Sequence, residues 1–479
     1  MNLQLLTDLY EFSMANGYYA TLPHDRQARF DVFYRRVPDN GSFVIVAGLQ
    51  QVVEQVQNWH FTKENIEYLT SLNEFTPEFL DYLSKIKNHC SIKALPEGTP
   101  VFPREPIISI SGPLIEAQLL ETFILNIINH QSLIATKSWQ INHAAQGRPI
   151  MEFGARRAQG PDAATYGARA AVIGGCTSTS NLQAASQFNI PAAGTMAHAW
   201  VESFSDELSA FQAWAKVYPD KVSLLVDTYD VLKSGVPNAI RVFKQVSAQG
   251  HQPVGIRIDS GDISQLAIKA RKMLDDAGFP KAKITASNAL DAHVVKLLLD
   301  EGAPIDNFGI GERLITSSSS PVLSGVYKLA EEKINDQWIP KIKVSDSREK
   351  ITLPGNKQVY RIYRQDNLHQ AIADVIALAD EHITAPLKVV NANSAATHAS
   401  QVLTNFNAKP LMQEYLGSNA SPIENDLFKI QQFSMDQVAE LPEATKRLVN
   451  PDRYPVYLTA TLAELQEQLI TKAQFTEEH

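Results

Sequence analysis

Between residues 146 and 330 short apolar runs recur, each closing on Gly, Ser, Asp or Asn: PIMEFGARR, AAVIGGCTSTSN, IPAAGTMAH, VSLLVDTYD, PVGIRIDSGD, AKITASN and IDNFGIGE. Between them lie segments with helical periodicity, among them NAIRVFKQVSAQG, ISQLAIKARKMLDDAG and ALDAHVVKLLLDEG. The last two end in Gly278 and Gly302, just past the final apolar position, where helices tend to stop. Apolar strands alternating with helices predict a parallel sheet with helices outside it. Seven such units are more than an open sheet comfortably holds, and predict a closed or nearly closed β/α barrel. In a barrel the residues just past the strand ends share one mouth. Arg156, Thr195, His198, Asp227, Arg257, Asp259, Asn288 and Gly311 thereby become one candidate site.

The flanks read differently. Residues 1–145 carry the strand-like runs FDVFYRRVP and SFVIVAGL and a helical stretch over 114–145, and predict a mixed α+β N-terminal domain. The barrel is expected over 146–330. Residues 331–479 form a C-terminal extension in which KIKVSD, KITLPG and QVYRIYR alternate apolar and polar positions, as antiparallel hairpins do. PGNK is the expected turn between two of them, and part of this extension is expected to pack on the N-terminal domain. The fold class expected is thus α/β: an irregular, TIM-like β/α barrel with two flanking regions.

Composition narrows the partners. A chain of 479 residues, 44% hydrophobic and 20% charged, is that of an ordinary soluble globular protein. A net charge of −9 without a Lys/Arg run argues against a nucleic-acid surface. Cys90 and Cys176 are too few for a disulfide framework and fit a reducing compartment. The opening MNLQLLTDLYEF has acids early and no basic segment leading into an apolar one, and no apolar run reaches membrane-spanning length. A cytoplasmic protein without a membrane partner is expected.

Each strand-end motif has a chemical and a structural reading. In FGIGE, glycines let the backbone approach a phosphate closely and reach positive φ; the same spacing makes a plain tight turn. In RIDSGD, alternation sends Arg257 and Asp259 to one side, fit for an anion beside a ribose or metal-bound diphosphate, or for a structural ion pair. FGARR offers Phe153 as a ring face and two arginines as phosphate ligands, or a solvated loop. Asp227 can orient an imidazole from the preceding strand end, here His198 in GTMAHAWV, or cap a helix. No HExxH, CxxC, GxSxG, GxxxxGK[ST] or GxGxxG occurs, so no metal ligands are assigned, and NTPase and dehydrogenase readings lack support.

With EFGARR, GTMAH, RIDSGD and FGIGE together, and with LLTDLYEFSMANGYY and FDVFYRR at the start, the chain resembles the nicotinate phosphoribosyltransferase family from about residue 3 to 365. The resemblance implies joining of nicotinate to 5-phosphoribosyl 1-diphosphate, giving nicotinate mononucleotide and diphosphate for NAD salvage, with ATP hydrolysed as a co-substrate. It also implies substrate-bound Mg2+ and a homodimer with sites at the interface. Tyr10 of one subunit would stack the pyridine against Phe153 of the other, and Thr195 and Arg257 would meet the carboxylate. Arg156, Asp259, Asn288 and the Gly311 and Glu312 amides would hold the phosphoribosyl part, with the Glu312 side chain turned away. His198 would take a phosphoryl group from ATP, with Asp227 holding it. Nicotinamide-using relatives carry an Asp in the loop matched here to 175–177, and Thr177 at that place favours nicotinate. Alternatives are a nicotinamide or quinolinate phosphoribosyltransferase, or a catalytically silent nucleotide-binding barrel.

Overall fold

The computed structural model describes residues 3–345, 347, 350–392 and 400–477. The chain forms two compact units, Ile134–Pro321, and Met1–Leu133 with Val322–His479. This differs from three consecutive segments, because strands from the last third complete a sheet begun by the first. That six-stranded sheet runs, edge to edge, Gln337–Pro340, Gly325–Ile334, Gln27–Tyr34, Ile108–Pro113, Ser91–Ala94 and Gln413–Leu416. All its neighbours are antiparallel. A second six-stranded sheet of the same unit is built from Lys357–Arg364, Asn367–Leu378, Leu387–Asn391, Ser400–Leu403, Phe406–Pro410 and Val456–Thr459.

The expected hairpins after residue 340 form only in part. Residues 341–345 and 350–355 are in no strand, and Asp346 lies outside the described residues. The PGNK segment is therefore not a hairpin turn. The turn falls instead at Gln365–Asp366, where Arg364 pairs with Asn367 across the ladder and its guanidinium grips both Asp366 oxygens at 2.9 Å. Pro340 and Pro354 cannot donate to a ladder, which disfavours pairing on either side.

In the unit Ile134–Pro321 the apolar runs become short parallel strands: β1 Ile150–Glu152, β2 Ser178–Thr179, β3 Ser223–Leu225, β4 Gly255–Ile258, β5 Lys283–Asn288 and β6 Asn307–Ile310. Their order in the sheet is β2-β1-β6-β5-β4-β3, parallel throughout. This order is a cyclic permutation of the sequence order, read backwards. The seventh run, IPAAGTMAH, contributes a single parallel bridge from Ala192 to Thr179 and no strand. Pro191 withholds a donor there, and small Ala and Gly side chains give a strand little to pack. Among the described residues no ladder joins this run to β3, which leaves a seam there and makes β2 and β3 the edges of the sheet. The fold is mixed α/β.

The helices follow their periodicity closely. They are α1 Pro161–Ile173, α2 Leu182–Phe188, α3 His198–Glu202, α4 Glu207–Val217, α5 Val236–Ala248, α6 Ile263–Asp276, α7 Ala292–Asp300 and α8 Glu312–Ile315. Gly278 and Gly302 lie just beyond α6 and α7 with φ of +90° and +77°, the left-handed stop their positions predict. Asp262 caps α6 by accepting from Gln265 N at 3.1 Å, and Asp291 caps α7 through Val294 N at 2.9 Å.

The other unit holds a charged core. Arg361 and Asp374 face each other across neighbouring strands and are both fully buried. Arg361 donates to both Asp374 oxygens, from Nε at 3.0 Å and Nη2 at 2.9 Å, and to Pro100 O at 2.8 Å. Glu105 is also fully buried, and accepts from Phe102 N at 2.8 Å. Burial, then the Asp374 charge, pushes the Glu105 carboxyl well above its usual range. A group raised on folding stabilises the protein below its unfolded pKa, and that contribution is lost as pH rises through the folded value. We expect the melting temperature to fall on the alkaline side as Glu105 ionises, and Glu105→Gln to flatten that limb in a pH series of thermal melts. An identical decline in the variant would exclude Glu105 as its source.

Candidate active site

Because the six strands are parallel, their C-terminal ends lie along one edge of the sheet. The segments following them line a cleft of about 410 Å³. Its first wall is the turn after β1. Phe153 N donates to Ile310 O at 2.8 Å, tying the turn to β6, and Arg157 N donates to Gly154 O at 2.8 Å to form the helical turn that carries Arg156. The Phe153 ring lies on the backbone of β6: a Cβ on Gly309 would stand 2.6 Å from it. A Cβ on Gly311 would stand 2.9 Å from Phe153 O. Neither glycine has positive φ, so FGIGE needs glycine to make room for Phe153 rather than for a left-handed turn.

Arg257, on β4, is the hub of the second wall. Its Nε donates to Ser287 Oγ at 2.7 Å, Nη2 to Asp259 Oδ1 at 2.9 Å and Nη1 to Thr195 Oγ1 at 3.4 Å. Ser287 Oγ donates in turn to Asp259 Oδ1, closing a ring of three side chains. The guanidinium carbon is 5.6 Å from the Phe153 ring centre, and both residues line the cleft. Burial pushes the Asp259 carboxyl up, but the hydrogen bonds from Ser287 and Arg257 and the charges of Arg257 and His198 outweigh it and hold it below the usual carboxylate range.

His198 begins α3, beside the seam of the sheet. Its Nδ1 lies 3.1 Å from Thr228 Oγ1. The expected contact with Asp227 is absent. Asp227 turns instead toward the end of β4, where one carboxylate oxygen accepts from Asp259 N at 3.0 Å and from Ser260 Oγ at 2.6 Å. Its other oxygen is buried without a hydrogen-bond partner among the described residues. Successive residues point to opposite sides, so Thr228 meets the imidazole and Asp227 does not.

Asn288, at the end of β5, has φ of +114°, a conformation that costs a non-glycine residue about 1–3 kcal/mol and is typical of functional positions. Glu312 lines the cleft with its carboxylate 3.4 Å from Arg157 Nε, so the side chain is engaged by a neighbouring cation. Tyr10 belongs to the other unit, on the exposed side of the helix Leu9–Thr21. Burial and then the acidic neighbours Glu121, Glu11 and Asp8 push its phenol up to about 12. Thr177 precedes β2 and both its N and Oγ1 donate to Ile150 O, at 2.9 and 3.1 Å. It therefore sits at the start of the strand, away from the cleft, and says nothing about the base bound there.

Four contributors escaped the sequence reading: Ser180, Ser287, Thr228 and Glu152. Glu152 had a visible signal, a carboxylate inside the apolar run PIMEF. It is fully buried, and accepts from Thr179 Oγ1 at 2.6 Å and from Gly154 N. Burial raises its pKa, with these two bonds opposing. The three hydroxyls had none, since what they contact comes from other strands. Among the described residues no group of three His, Cys, Asp or Glu is arranged to hold a metal ion.

The sequence matches three descriptions of one family: nicotinate phosphoribosyltransferase (NAPRTase) N-terminal domain over residues 5–129, nicotinate phosphoribosyltransferase (NAPRTase) family over 149–372, and nicotinate phosphoribosyltransferase C-terminal domain over 356–466. It is 42% identical over 459 residues to a nicotinate phosphoribosyltransferase of Bacillus subtilis (strain 168), covering 96% of this chain and 93% of the relative. The crystal structure of human nicotinic acid phosphoribosyltransferase superposes with a TM-score of 0.84 at 28% identity, over 97% of this chain and 99% of that one. A nicotinate-nucleotide pyrophosphorylase from Pyrococcus furiosus, 21% identical over 92% of this chain and 96% of its own with a TM-score of 0.70, shares the fold.

The contact between Phe153 and Gly309 can be broken by one methyl group. Gly309→Ala is expected to push the ring off β6 and to destabilise the protein by about 1–3 kcal/mol, the usual cost of overpacking. Denaturant unfolding checks the stability, and a crystal structure of the variant checks the ring.

Proposed function

The chain belongs to the nicotinate phosphoribosyltransferase family, and from that premise we propose that it joins nicotinate to 5-phosphoribosyl 1-diphosphate at this cleft, with ATP hydrolysis coupled to the step. Nicotinate mononucleotide and diphosphate are the products, and the reaction serves NAD salvage. The observation that carries the reading is the corner made by Phe153, Arg257 and Thr195. An aromatic face 5.6 Å from a guanidinium suits a flat ring bearing a carboxylate. Tyr10 of a second copy would close the other face of the ring, which makes the working form a homodimer.

Arg156, Asp259, Asn288 and the amides of Gly311 and Glu312 are proposed to hold the phosphoribosyl group. Asp227 is reassigned by its contacts. It fixes the main chain at Asp259 and the Ser260 hydroxyl, and so acts on the donor side rather than on His198. Breaking the C1–diphosphate bond builds positive charge on the ribose, and positioning and a neutralised leaving group then dominate the rate. The pyridine nitrogen attacks C1 with its own lone pair and needs no general base. His198 therefore has no proton to take in that step. A ring nitrogen attacking the ATP γ-phosphorus, with ADP leaving, gives it a use, and hydrolysis of the phosphohistidine later returns phosphate and the free imidazole.

Asp259, Asp227 and Glu312 each hold a hydrogen bond or ion pair within the protein, and among the described residues no three-ligand cluster forms, a donor set that suits Mg2+ carried by substrate phosphates. When bound, that ion neutralises charge on the leaving diphosphate. No helix among the described residues is long and apolar enough to cross a membrane. Both cysteines are buried and neither forms a disulfide, which supports the reducing, cytoplasmic setting we assign. We also read the catalytic unit as an irregular barrel, open at its seam.

His198→Ala should abolish ATP-stimulated turnover while slow ATP-independent mononucleotide formation persists, and labelled ATP should leave an acid-labile phosphoryl group on the wild type alone. Full ATP coupling in the variant would remove His198 from that role. For Arg257→Ala we expect the KM for nicotinate to rise on the order of 10- to 100-fold, the worth of a charge-assisted hydrogen bond, with a far smaller change for the phosphoribosyl donor. Equal effects would move Arg257 to the donor side. Competition among nicotinate, nicotinamide and quinolinate in one activity assay decides the base.

A further inference from the structure

Glu152 is the least expected group beside the cleft. A carboxylate stripped of water costs several kcal/mol unless something compensates it, and a cation usually does. Here the side chain is fully buried and no cation takes part in setting its ionisation. Its partners are two neutral donors, Thr179 Oγ1 on β2 and Gly154 N in the turn after β1. The main chain of the same residue adds a third tie, accepting from the amide of Ser180, which lines the cleft, at 2.9 Å. Glu152 thus links the ends of two strands.

The turn it holds has almost no freedom. Phe153 N is bonded to Ile310 O, the ring is seated on Gly309, and a Cβ on Gly154 would stand 2.5 Å from Ile315 on α8. If the Gly154 amide lost its acceptor, a buried N–H would be left unpaired, and the turn would have to move to find water. The Phe153 ring would move with it.

We propose that Glu152 is a positioning residue for nicotinate: its carboxylate fixes the Phe153–Gly154 turn, and thereby the ring face on which the pyridine lies. This rests on Phe153 being a wall of the base site. A purely structural role and a positioning role separate on replacement by Met, which has similar bulk and no comparable acceptor. Met fills the same space and leaves two neutral donors without their acceptor, a loss small enough for the fold to survive. The nicotinate KM should nevertheless rise roughly tenfold, the loss of one buried hydrogen bond, with kcat and the donor KM within about twofold.

The test is steady-state kinetics on the full-length enzyme, with thermal melts alongside. Glu152→Met should show the nicotinate-only rise while still unfolding in a single cooperative transition at a modestly lowered melting temperature. Glu152→Gln keeps an oxygen for Gly154 N–H and should return the KM to within about threefold of wild type. An unchanged nicotinate KM in Glu152→Met, or equal rises for both substrates, would overturn the proposal. Should Glu152→Met not fold, Thr179→Val decides by removing the other donor: a nicotinate-specific rise reversed in Thr179→Ser supports it, and no rise overturns it. Phe153→Leu separates the two levels. If that variant leaves the nicotinate KM unchanged, the base-site reading has failed; if it raises the KM while Glu152→Met does not, only the role of Glu152 has failed.

Discussion

The site depends on an arginine held half-buried at the end of a strand. A guanidinium fully in water binds a carboxylate weakly, and one fully buried needs a permanent counter-charge. Arg257 lies between these limits, with its side chain 16% exposed. Asp259, Ser287 and Thr195 occupy part of its fork, and the residue lines the cleft. The support continues outward, since Asp227 holds the main chain at Asp259. Asp259 stays ionised because this set outweighs the cost of its burial. Two strand ends are thus bound together by one cation and a third by Asp227, and this wall of the cleft has its shape because they are.

Much of this was legible in the sequence, for a physical reason. Helical periodicity and terminal glycines are local signals, and α5, α6 and α7 follow them. That strand ends would gather Arg257, Asp259, His198 and Phe153 was also foreseeable, because parallel β/α connectivity forces it. What a side chain does once there was not. Asp227 and Thr228 are adjacent, and which of them meets His198 depends on a neighbouring strand. Thr177 looked like a strand end because the apolar run before it is helix α1, and the strand that follows is only two residues long. The glycines of FGIGE were singled out for a ligand and a left-handed turn; neither has positive φ, and Phe153, more than 150 residues earlier, needs their space.

Interleaving of the first and last thirds of the chain has a similar origin. An edge strand of antiparallel sheet accepts any partner with matching alternation, however distant in sequence. Gly325–Ile334 and Gln413–Leu416 take such places beside strands from the first 113 residues. The buried Arg361–Asp374 pair adds specificity that apolar packing lacks: the guanidinium also reaches Pro100 O, so only one juxtaposition of those segments satisfies it.

The seam in the catalytic sheet carries one more implication. Between neighbouring strands, main-chain ladders ignore the chemical state of side chains. Past the edge strand β3 the tie is between side chains, where His198 Nδ1 lies 3.1 Å from Thr228 Oγ1. A substitution on that imidazole alters the tie, so the firmness of one side of the cleft depends on the state of a single ring.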